Sequence, residues 1–296
     1  MNDMAHPNTV GHAEMYYAIV PSLLDALSED KPQPVRNSET SIRFNSGNET
    51  QRLSFTPEGT LHAFTLAFSF KTSGTGTLAS VVTSNNDTLS VFLDADGKLS
   101  YKSAKTVAAI NDNMWHNVVL THYHAWGRTL LYVDGNLAVG NNSISERFAP
   151  VKFHINDFVK APQSIEFREL FLYRAGMCSE EISALNSQKM LKSSLELYVP
   201  LQGNAADGNV NLNNLAQSLN VVKLERSVGT DGLSHILNES KAKEITVFSI
   251  SGVKMMHSSD FSTAINYQDT LPHGVYIAKI LTDSGSVLSS KFIVRR

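Results

Sequence analysis

The chain has 296 residues, of which 42% are hydrophobic and 18% charged, a composition typical of a folded globular protein long enough for two compact domains. Its formal net charge of −3, without a dense Lys/Arg patch, gives no electrostatic reason to expect nucleic acid as a partner. No run approaches the roughly 18 consecutive apolar residues of a membrane span. The single cysteine, Cys178, excludes intramolecular disulfides and Cys-rich zinc sites, and we expect it to be a small buried side chain.

The N-terminal segment has helical periodicity and then a polar, proline-containing stretch. Apolar residues recur at i, i+3 and i+4 over residues 12–27, which predicts a helix kinked at Pro21. Because this helix is apolar over much of its circumference, we expect it to dock on the following domain or to drive self-association. Residues 31–40 predict a linker. The first residues lack a basic region before an uninterrupted apolar run, so no signal peptide is predicted.

Residues 41–202 consist of short strand-like runs separated by turns. Phe64–Phe70 alternates strongly and places four apolar side chains on one face. The runs Leu89–Leu93 and Lys98–Tyr101 flank a segment ending in Asp-Gly, which indicates a β-hairpin. Runs at this spacing, with few helical patterns between them, predict an antiparallel β-sandwich.

The rest of the chain predicts one short helix, a second linker and a last domain. Ser179 stands before two glutamates, which favours a helix that begins there with Ser179 as its cap, and Leu195–Leu201 returns to strand. Residues 203–217 are rich in Asn and Gly, which predicts a linker. Residues 218–296 are predicted to form a small β-sandwich. Its strand-like runs are Ile245–Ile250, Val275–Leu281 and Val287–Val294.

One stretch of the middle region, Asp112–Thr121 with Trp115 at its centre, is followed by Thr129–Gly135 and later by Ile165–Ala175. In this order and spacing the residues resemble the laminin-G-like family of concanavalin A-like jelly rolls. The resemblance implies a mainly β fold, a concanavalin A-like antiparallel β-sandwich (jelly roll), beside which we expect a small C-terminal β-sandwich and one N-terminal helix. Trp115 would be a core or inter-sheet anchor. The same sandwich serves lectins, adhesion modules and glycosidases, so function needs separate evidence.

Aromatic side chains of the sandwich are candidates for stacking on a glycan, although packing in the core or in a turn is the alternative for each. They are Tyr101, Tyr123 and Trp126. Retaining glycoside hydrolysis needs two carboxylates about 5 Å apart. Glu166 and Glu169 are three positions apart, so on a regular strand they point to opposite faces. We therefore expect binding of a glycan or a protein rather than hydrolysis.

No metal site and no cofactor are predicted, although calcium is an open alternative. Laminin-G relatives sometimes bind calcium through loop acids, and the corresponding candidates would be Asp94, Asp96 and Asp112, which serve equally well as turn residues. Three histidines also lie close in sequence: His116, His122 and His124. On a strand these positions share one face only while the strand continues, and Ala125–Gly127 already indicates a turn, so no common metal site is expected.

The first residues, from Asp3 to His12, follow the pattern D-x-x-H-P-N-x-x-G-H. This pattern resembles the final block of SGNH (GDSL-type) hydrolases, in which the Asp and the His complete a triad with a distant Ser. The resemblance implies His6 as general base and Asp3 as its orienting acid, with the family's last helix over Gly11–Leu27. Because no Gly-Asp-Ser block precedes Asp3, we expect residues 1–30 to be an inactive remnant. The parent protein would be an esterase of acylated carbohydrate, with an upstream SGNH domain as partner.

Three patterns follow one another near the C-terminus. The first is a strand-like run that ends in Ser-Gly, over Ile245–Gly252. The second is Leu-Pro-x-Gly-x-Tyr within Leu271–Lys279, and the third is Lys-Phe-x-Val, at Lys291–Val294. They resemble the type A sorting domain of the type IX secretion system. The resemblance implies export across the outer membrane, a secreted or cell-surface location and the type IX secretion machinery as partner. A generic immunoglobulin-like accessory module is the alternative.

Three functions remain compatible with these patterns. We favour a non-catalytic binding or accessory region of a secreted or cell-surface bacterial protein. The alternatives are part of an SGNH esterase that lacks its nucleophile here, and a freestanding adhesion protein.

Overall fold

The structure, a computed structural model, describes residues 8–9, 11–12, 15, 24–25, 34–45, 50–140, 146–158, 160–227, 242–260, 263, 267, 270–272, 274–282, 285 and 287–294. The chain divides into two compact units, of which the first extends to Arg226 and the second contains Ser227–Arg296. The fold is mainly β, as the sequence predicted. Among the described residues, none of the helices combines the length and hydropathy needed to cross a membrane.

The first unit contains most of the strands and the one helix for which bounds are defined. In chain order its elements are β1 (Ile42–Asn45), β2 (Thr50–Phe55), β3 (Phe64–Thr72), β4 (Gly76–Thr83), β5 (Thr88–Leu93), β6 (Leu99–Tyr101), β7 (Ala104–Lys105), β8 (His116–Tyr123), β9 (Arg128–Val133), β10 (Asn136–Leu137), β11 (Pro150–Ile155), β12 (Ser164–Tyr173), α1 (Ser179–Asn186), β13 (Leu195–Val199), β14 (Gln202–Asn204), β15 (Asn209–Asn211) and β16 (Lys223–Ser227). The second unit contains β17 (Ala242–Ser249), β18 (Lys254–Ser258), β19 (Gly274–Thr282) and β20 (Val287–Val294).

The first unit is a sandwich of two sheets. One sheet has the order β10-β9-β8-β3-β12-β1-β14-β15, with β13 paired on β12, and the other has the order β16-β2-β11-β4-β5-β6-β7. Alternation along β3 explains the packing, because Phe64 and Phe68 enter the core between the sheets while Ala67 faces the opposite side. The ring of Phe64 meets that of Phe153 on the other sheet at 5.3 Å. Fully burying each such side chain contributes about 1.5–3 kcal/mol.

Helix α1 covers the part of the outer face of the larger sheet that contains Ala67 of β3 and Phe171 and Tyr173 of β12. Ile182 and Leu185 of α1 belong to the same apolar cluster as Phe171, whose ring stacks on another cluster member at 4.7 Å. The N-cap of α1 is Cys178 rather than the predicted Ser179, because the Glu181 carboxylate accepts the backbone N–H of Cys178 at 3.0 Å. Cys178 is half-buried, not fully buried as expected.

The predicted anchor Trp115 does not belong to the inter-sheet core. Its half-buried ring lies on the outer face of the larger sheet, where the guanidinium of Arg168 is 4.2 Å and the ammonium of Lys71 5.3 Å from the ring centre. The prediction was wrong because Trp115 immediately precedes β8, outside the alternation that fills the core.

The predicted linker 31–40 is packed on the sandwich over its described residues. The Arg36 guanidinium binds both carboxylate oxygens of Glu169, at 2.5 and 3.0 Å, and donates to the carbonyl of Leu185 at 2.7 Å. Further upstream, described residues of the predicted helix are helical, and the Asp25 carboxylate accepts the backbone N–H of Ser193 at 2.9 Å. This end of the predicted helix therefore contacts the sandwich.

The predicted boundary between the two domains also differs from the observed division. Residues 203–217, predicted as a linker, contain most of β14 and all of β15, and β14 pairs in parallel with β1. The last strand of the sandwich, β16, pairs with β2 although it lies within the range 218–296 assigned to the last domain. The long-range pairing of strands, which composition does not reveal, moves the boundary to Arg226.

The second unit is one antiparallel sheet with the order β18-β17-β19-β20 over its described residues. Ile245, Val247 and Ile280 lie on its buried face, and Tyr276 stacks on Phe292 at 5.6 Å. This sheet contains the three strand-like runs predicted from the sequence, whereas a second sheet is not defined in the described part of the unit.

Candidate functional site

The turn between β8 and β9 carries an exposed aromatic surface. Trp126 is 70% exposed, and its ring stacks on that of the half-buried Tyr123 with a centroid distance of 5.1 Å and an angle of 29° between the planes. We call Tyr123 and Trp126 the aromatic platform. Two of the three predicted aromatic residues thus lie together at one end of the sandwich.

Close packing fixes the tyrosine of the platform. Its hydroxyl donates a hydrogen bond to the carbonyl of Met177. Gly176 lies directly against the ring, since a Cβ at this position would come 2.5 Å from Cδ1 of Tyr123. Burial raises the pKa of Tyr123 above its usual range, so the hydroxyl stays protonated and continues to donate. The ring is therefore a rigid base for Trp126.

An arginine from a distant segment fixes the turn that carries Trp126. The Arg147 guanidinium donates to the carbonyls of His124 at 3.2 Å and Ala125 at 3.1 Å. The backbone N–H of Gly127 donates to the carbonyl of His124 at 2.9 Å and so closes the turn. Gly127 has a φ of 61°, a conformation that glycine adopts most easily. The backbone of the turn is thus bonded on both sides of Trp126.

Tyr101 is not part of this surface. It is fully buried in the inter-sheet core, and its hydroxyl donates to the Glu146 carboxylate at 2.5 Å. Burial and the neighbouring carboxylate raise its pKa. The ring presents no face to solvent, so the expectation that it stacks on a sugar is corrected in favour of its alternative, core packing.

A buried histidine lies close to the aromatic platform. Nδ1 of His122 is 2.8 Å from the Thr129 hydroxyl, and its ring is 4.2 Å from that of Phe148. Burial, then the charges of His124, Lys102 and His62, lower the pKa of His122 to about 3. His122 is therefore a neutral packing residue at ordinary pH.

The three predicted histidines do not converge. The rings of His122 and His124 are 5.8 Å apart, but His116 lies at the other end of β8 between two carboxylates. Its Nδ1 is 2.7 Å from Asp134, its Nε2 is 3.1 Å from Asp112, and these partners raise its pKa although burial opposes the shift. No group of three or more His, Cys, Asp or Glu with metal-binding geometry occurs in the described part of the chain.

The calcium candidates occupy turn positions. Asp94 pairs with Lys105, and its carboxylate accepts the backbone N–H of Asp96 at 2.9 Å. The hydrogen bond from Lys105 is the main cause of the lowered pKa of Asp94. Asp112 accepts the backbone N–H of Met114 at 2.8 Å. Asp94 and Asp112 thus each accept a backbone N–H group within their own turn.

The two carboxylates considered for hydrolysis lie on the same face of β12, contrary to expectation. A β-bulge follows Arg168, and Glu169 has a φ of 55°, which turns its side chain to the outer face, where Glu166 also lies. Each carboxylate has its own arginine, since Arg43 binds Glu166 at 2.9 Å and Arg36 binds Glu169. Both are therefore committed to structural ion pairs.

A groove of about 800 Å³ lies beside the sandwich edge formed by β2 and β16. At its floor, Glu225 accepts hydrogen bonds from Arg52 at 2.7 Å, Ser54 at 2.7 Å and Lys152 at 2.9 Å. Although burial opposes the shift, these bonds lower the pKa of Glu225 to about 2. These hydrogen bonds and ion pairs attach β16 to its neighbours, which is a structural role.

The residues predicted as a catalytic pair, Asp3 and His6, lie outside the described residues. The first described residues in this region are Asn8 and Thr9, and the Asn8 side chain accepts the backbone N–H of Gly11 at 2.9 Å. This bond is typical of a helix N-terminus and has no catalytic implication.

Comparison with protein-family models gives no match, and comparison with curated proteins gives none. Among solved structures, a heptameric SAP-like pentraxin from Limulus polyphemus is similar over 65% of this chain and 97% of its own, with 17% identity and a TM-score of 0.42. A candidate carbohydrate-binding protein from Bacteroides ovatus is similar over 64% of this chain and 59% of its own, with 13% identity and a TM-score of 0.42.

A sialidase from Trypanosoma rangeli, in complex with the inhibitor DANA, is similar over 42% of this chain and 22% of its own, with 18% identity and a TM-score of 0.36. This chain thus spans less than a quarter of the sialidase. All three TM-scores are below 0.5, so function has to be derived from the residues of the site itself.

Proposed function

We propose that this chain is a non-catalytic binding region that holds a glycan on the aromatic platform. The observation that carries the proposal is the exposure of Trp126, 70%, combined with its stacking on a fixed tyrosine. Tryptophan and tyrosine, which combine a large apolar ring with a polar N–H or O–H, are enriched at interaction surfaces. The C–H faces of sugar rings pack well on such aromatic surfaces, while their hydroxyls remain in water.

The rigidity of the platform favours binding. Tyr123 is held by Met177 and Gly176, and the turn of Trp126 is held by Arg147. A side chain that is already ordered loses little conformational entropy when a ligand arrives, so more of the contact energy appears as affinity. The exposed Arg147 and the half-buried His124 add polar side chains at the same turn.

The test is affinity gel electrophoresis, which measures how far a soluble neutral polysaccharide in the gel slows the migration of the full chain. The Trp126→Ala variant runs beside the unchanged protein. We expect roughly tenfold or greater loss of affinity, because the ring supplies the central apolar contact. Trp126→Phe should retain part of the binding. Met114→Ala is the matched control, since Met114 is also a large exposed apolar residue, at 64%. Equal retention of wild type and Trp126→Ala on every polysaccharide that binds would exclude the platform.

We also propose that the chain acts outside the cell, as a region of an exported protein. Support comes from the resemblance of the C-terminal residues to a type IX sorting domain and of residues 1–12 to the last block of an SGNH hydrolase. An immunoblot of source cells and medium against the sandwich tests both points. Detection in the medium or on intact cells supports export, and a product larger than 32.5 kDa by about one domain supports a parent esterase. A cytoplasmic product of 32.5 kDa would contradict both.

A further inference from the structure

The Asn-rich stretch that predicted a linker forms one wall of a small cleft on the sandwich. The cleft has a volume of about 190 Å³ and lies between residues 37–40 and the segment from β14 to Leu215. Its polar lining comes from Asn37, Thr40, Gln202, Asn211 and Asn213. All of the described residues that line it are uncharged. We call it the amide cleft.

Two of its amide side chains are held in a defined orientation. The side-chain oxygen of Asn37 accepts the backbone N–H of Glu39 at 2.9 Å, and that of Asn211 accepts the backbone N–H of Asn213 at 3.1 Å. In each case the oxygen is used inside the protein and the NH₂ group remains available as a donor. Gln202 lies directly opposite Asn211 in the pairing of β14 with β15. Polar groups are therefore ordered before any ligand arrives.

A hydroxyl group in the lining lacks a partner. The Thr40 Oγ1 atom is buried, yet it makes no hydrogen bond within the described part of the structure. A buried polar atom without a partner is unfavourable by about 1–3 kcal/mol. Because this oxygen is closed to solvent, the penalty belongs to the packing of the cleft wall, and a ligand would bond to the exposed side chains of Asn37, Gln202 and Asn211 instead.

The backbone around Gln202 has an unusual conformation. Leu201 has a φ of 63°, which non-glycine residues rarely adopt, and Gly203 has a φ of 116°. A Cβ at position 203 would come 2.1 Å from the carbonyl oxygen of Asn209, so only glycine fits. Such strain persists where the surrounding structure enforces it, and it concentrates at binding sites. Here it flanks one of the polar side chains of the amide cleft.

We propose that the amide cleft is a second binding site, separate from the aromatic platform, that takes the hydroxyl groups of a neutral sugar residue. A sugar hydroxyl is both donor and acceptor, so it can accept from the NH₂ groups of Asn37 and Asn211 and donate to the side-chain oxygen of Gln202, whereas a carboxylate only accepts and an ammonium group only donates. The uncharged lining offers an acidic or basic sugar no ion pair. Leu215, which is 44% exposed, adds an apolar contact for a sugar C–H face.

The test follows the side-chain amide signals of the ¹⁵N-labelled full chain by NMR during titration with methyl glycosides of glucose, galactose and mannose. Signals of Gln202 and Asn211 are identified by their loss in the Gln202→Ala and Asn211→Ala variants. We expect saturable shifts of these signals with at least one glycoside and smaller or no shifts with glucuronate. Each variant should raise the Kd at least tenfold while the backbone spectrum stays folded, because both side chains are exposed.

The Trp126→Ala variant separates this proposal from the proposed function. It should leave the titration of the amide cleft unchanged, even though it weakens retention by polysaccharides. The proposal is overturned if no glycoside shifts the Gln202 and Asn211 signals, if the shifts are equal with glucuronate, or if Trp126→Ala abolishes them. If polysaccharide retention depends on Trp126 but no glycoside shifts the amide-cleft signals, the aromatic platform is a binding site and the amide cleft is not.

Discussion

The buried histidine near the aromatic platform predicts a defined sensitivity of the sandwich to acid. His122 is fully buried, its Nδ1 bonds to Thr129, and its pKa is lowered to about 3. Below the ordinary pKa of 6.5 the unfolded chain binds a proton at this residue that the folded chain does not bind. The contribution of neutral His122 is therefore fully present above pH 6.5 and is lost progressively as the pH falls towards 3. Between pH 8 and pH 5 the free energy of unfolding should fall by about 2 kcal/mol through this residue alone.

Urea unfolding followed by tryptophan fluorescence measures this loss, because both tryptophans of the chain, Trp115 and Trp126, lie in the sandwich. In His122→Asn the side-chain amide retains a partner for Thr129 but cannot take up the proton. We expect this variant to be less stable at pH 8, since it leaves a cavity, but its loss between pH 8 and pH 5 should be smaller by about 2 kcal/mol. His257→Asn, at an exposed position of the second unit, is the matched control.

The test compares how much free energy of unfolding each protein loses between pH 8 and pH 5, so the constant cost of the cavity does not affect it. If His122→Asn and the unchanged protein lose the same free energy between pH 8 and pH 5, His122 is not a neutral buried residue and the reasoning fails. A loss of stability at both pH values by the same amount would indicate a packing role without any proton linkage.

Four further changes test other contacts in the sandwich. Arg36→Ala should lower the free energy of unfolding by about 3–5 kcal/mol in urea, because it leaves the Glu169 carboxylate, 1% exposed, without its cation. Glu225→Gln should reduce stability at pH 7 and flatten its decline below pH 4.5, since the pKa of about 2 makes this contribution disappear only in acid. His116→Gln should reduce stability more at pH 6 than at pH 9, as its raised pKa requires. Gly176→Ala should displace the platform tyrosine and weaken polysaccharide retention roughly tenfold while the chain stays folded by circular dichroism.

The elements that the sequence predicts well are those specified by local pattern. The hairpin between Leu89–Leu93 and Lys98–Tyr101 is present as β5 and β6, and the alternation of Phe64–Phe70 places its aromatic rings in the core. A tight turn and a period of two both depend on residues close in sequence. The same is true of α1, where the prediction is displaced by one residue at the cap.

Site residues are predicted less well, because exposure depends on distant parts of the chain. Tyr101 and Tyr123 both stand at the ends of strands beside turns, and nothing local distinguishes them. Tyr101 is buried because the remote Glu146 supplies a partner for its hydroxyl, whereas the stacked ring of Tyr123 extends to the exposed Trp126. The bulge that turns Glu169 to the outer face likewise has no local signal, since it is stabilised by Arg36.

The two linker predictions were based on composition, and the structure shows the physical reason that composition misleads here. Polar and proline-rich stretches predict linkers because they cannot bury enough apolar surface to compensate for lost chain entropy. Arg36 offsets that loss through a bidentate ion pair with a buried carboxylate, and Gln202 and Asn211 do so within a paired hairpin. A polar stretch can therefore be ordered when its polar groups meet partners, which are remote in sequence for Arg36 and lie within one hairpin for Gln202 and Asn211. Where such a stretch is ordered and the NH₂ group of an exposed amide side chain remains available as a donor, as at Asn211, that group identifies the place where a polar ligand would bind.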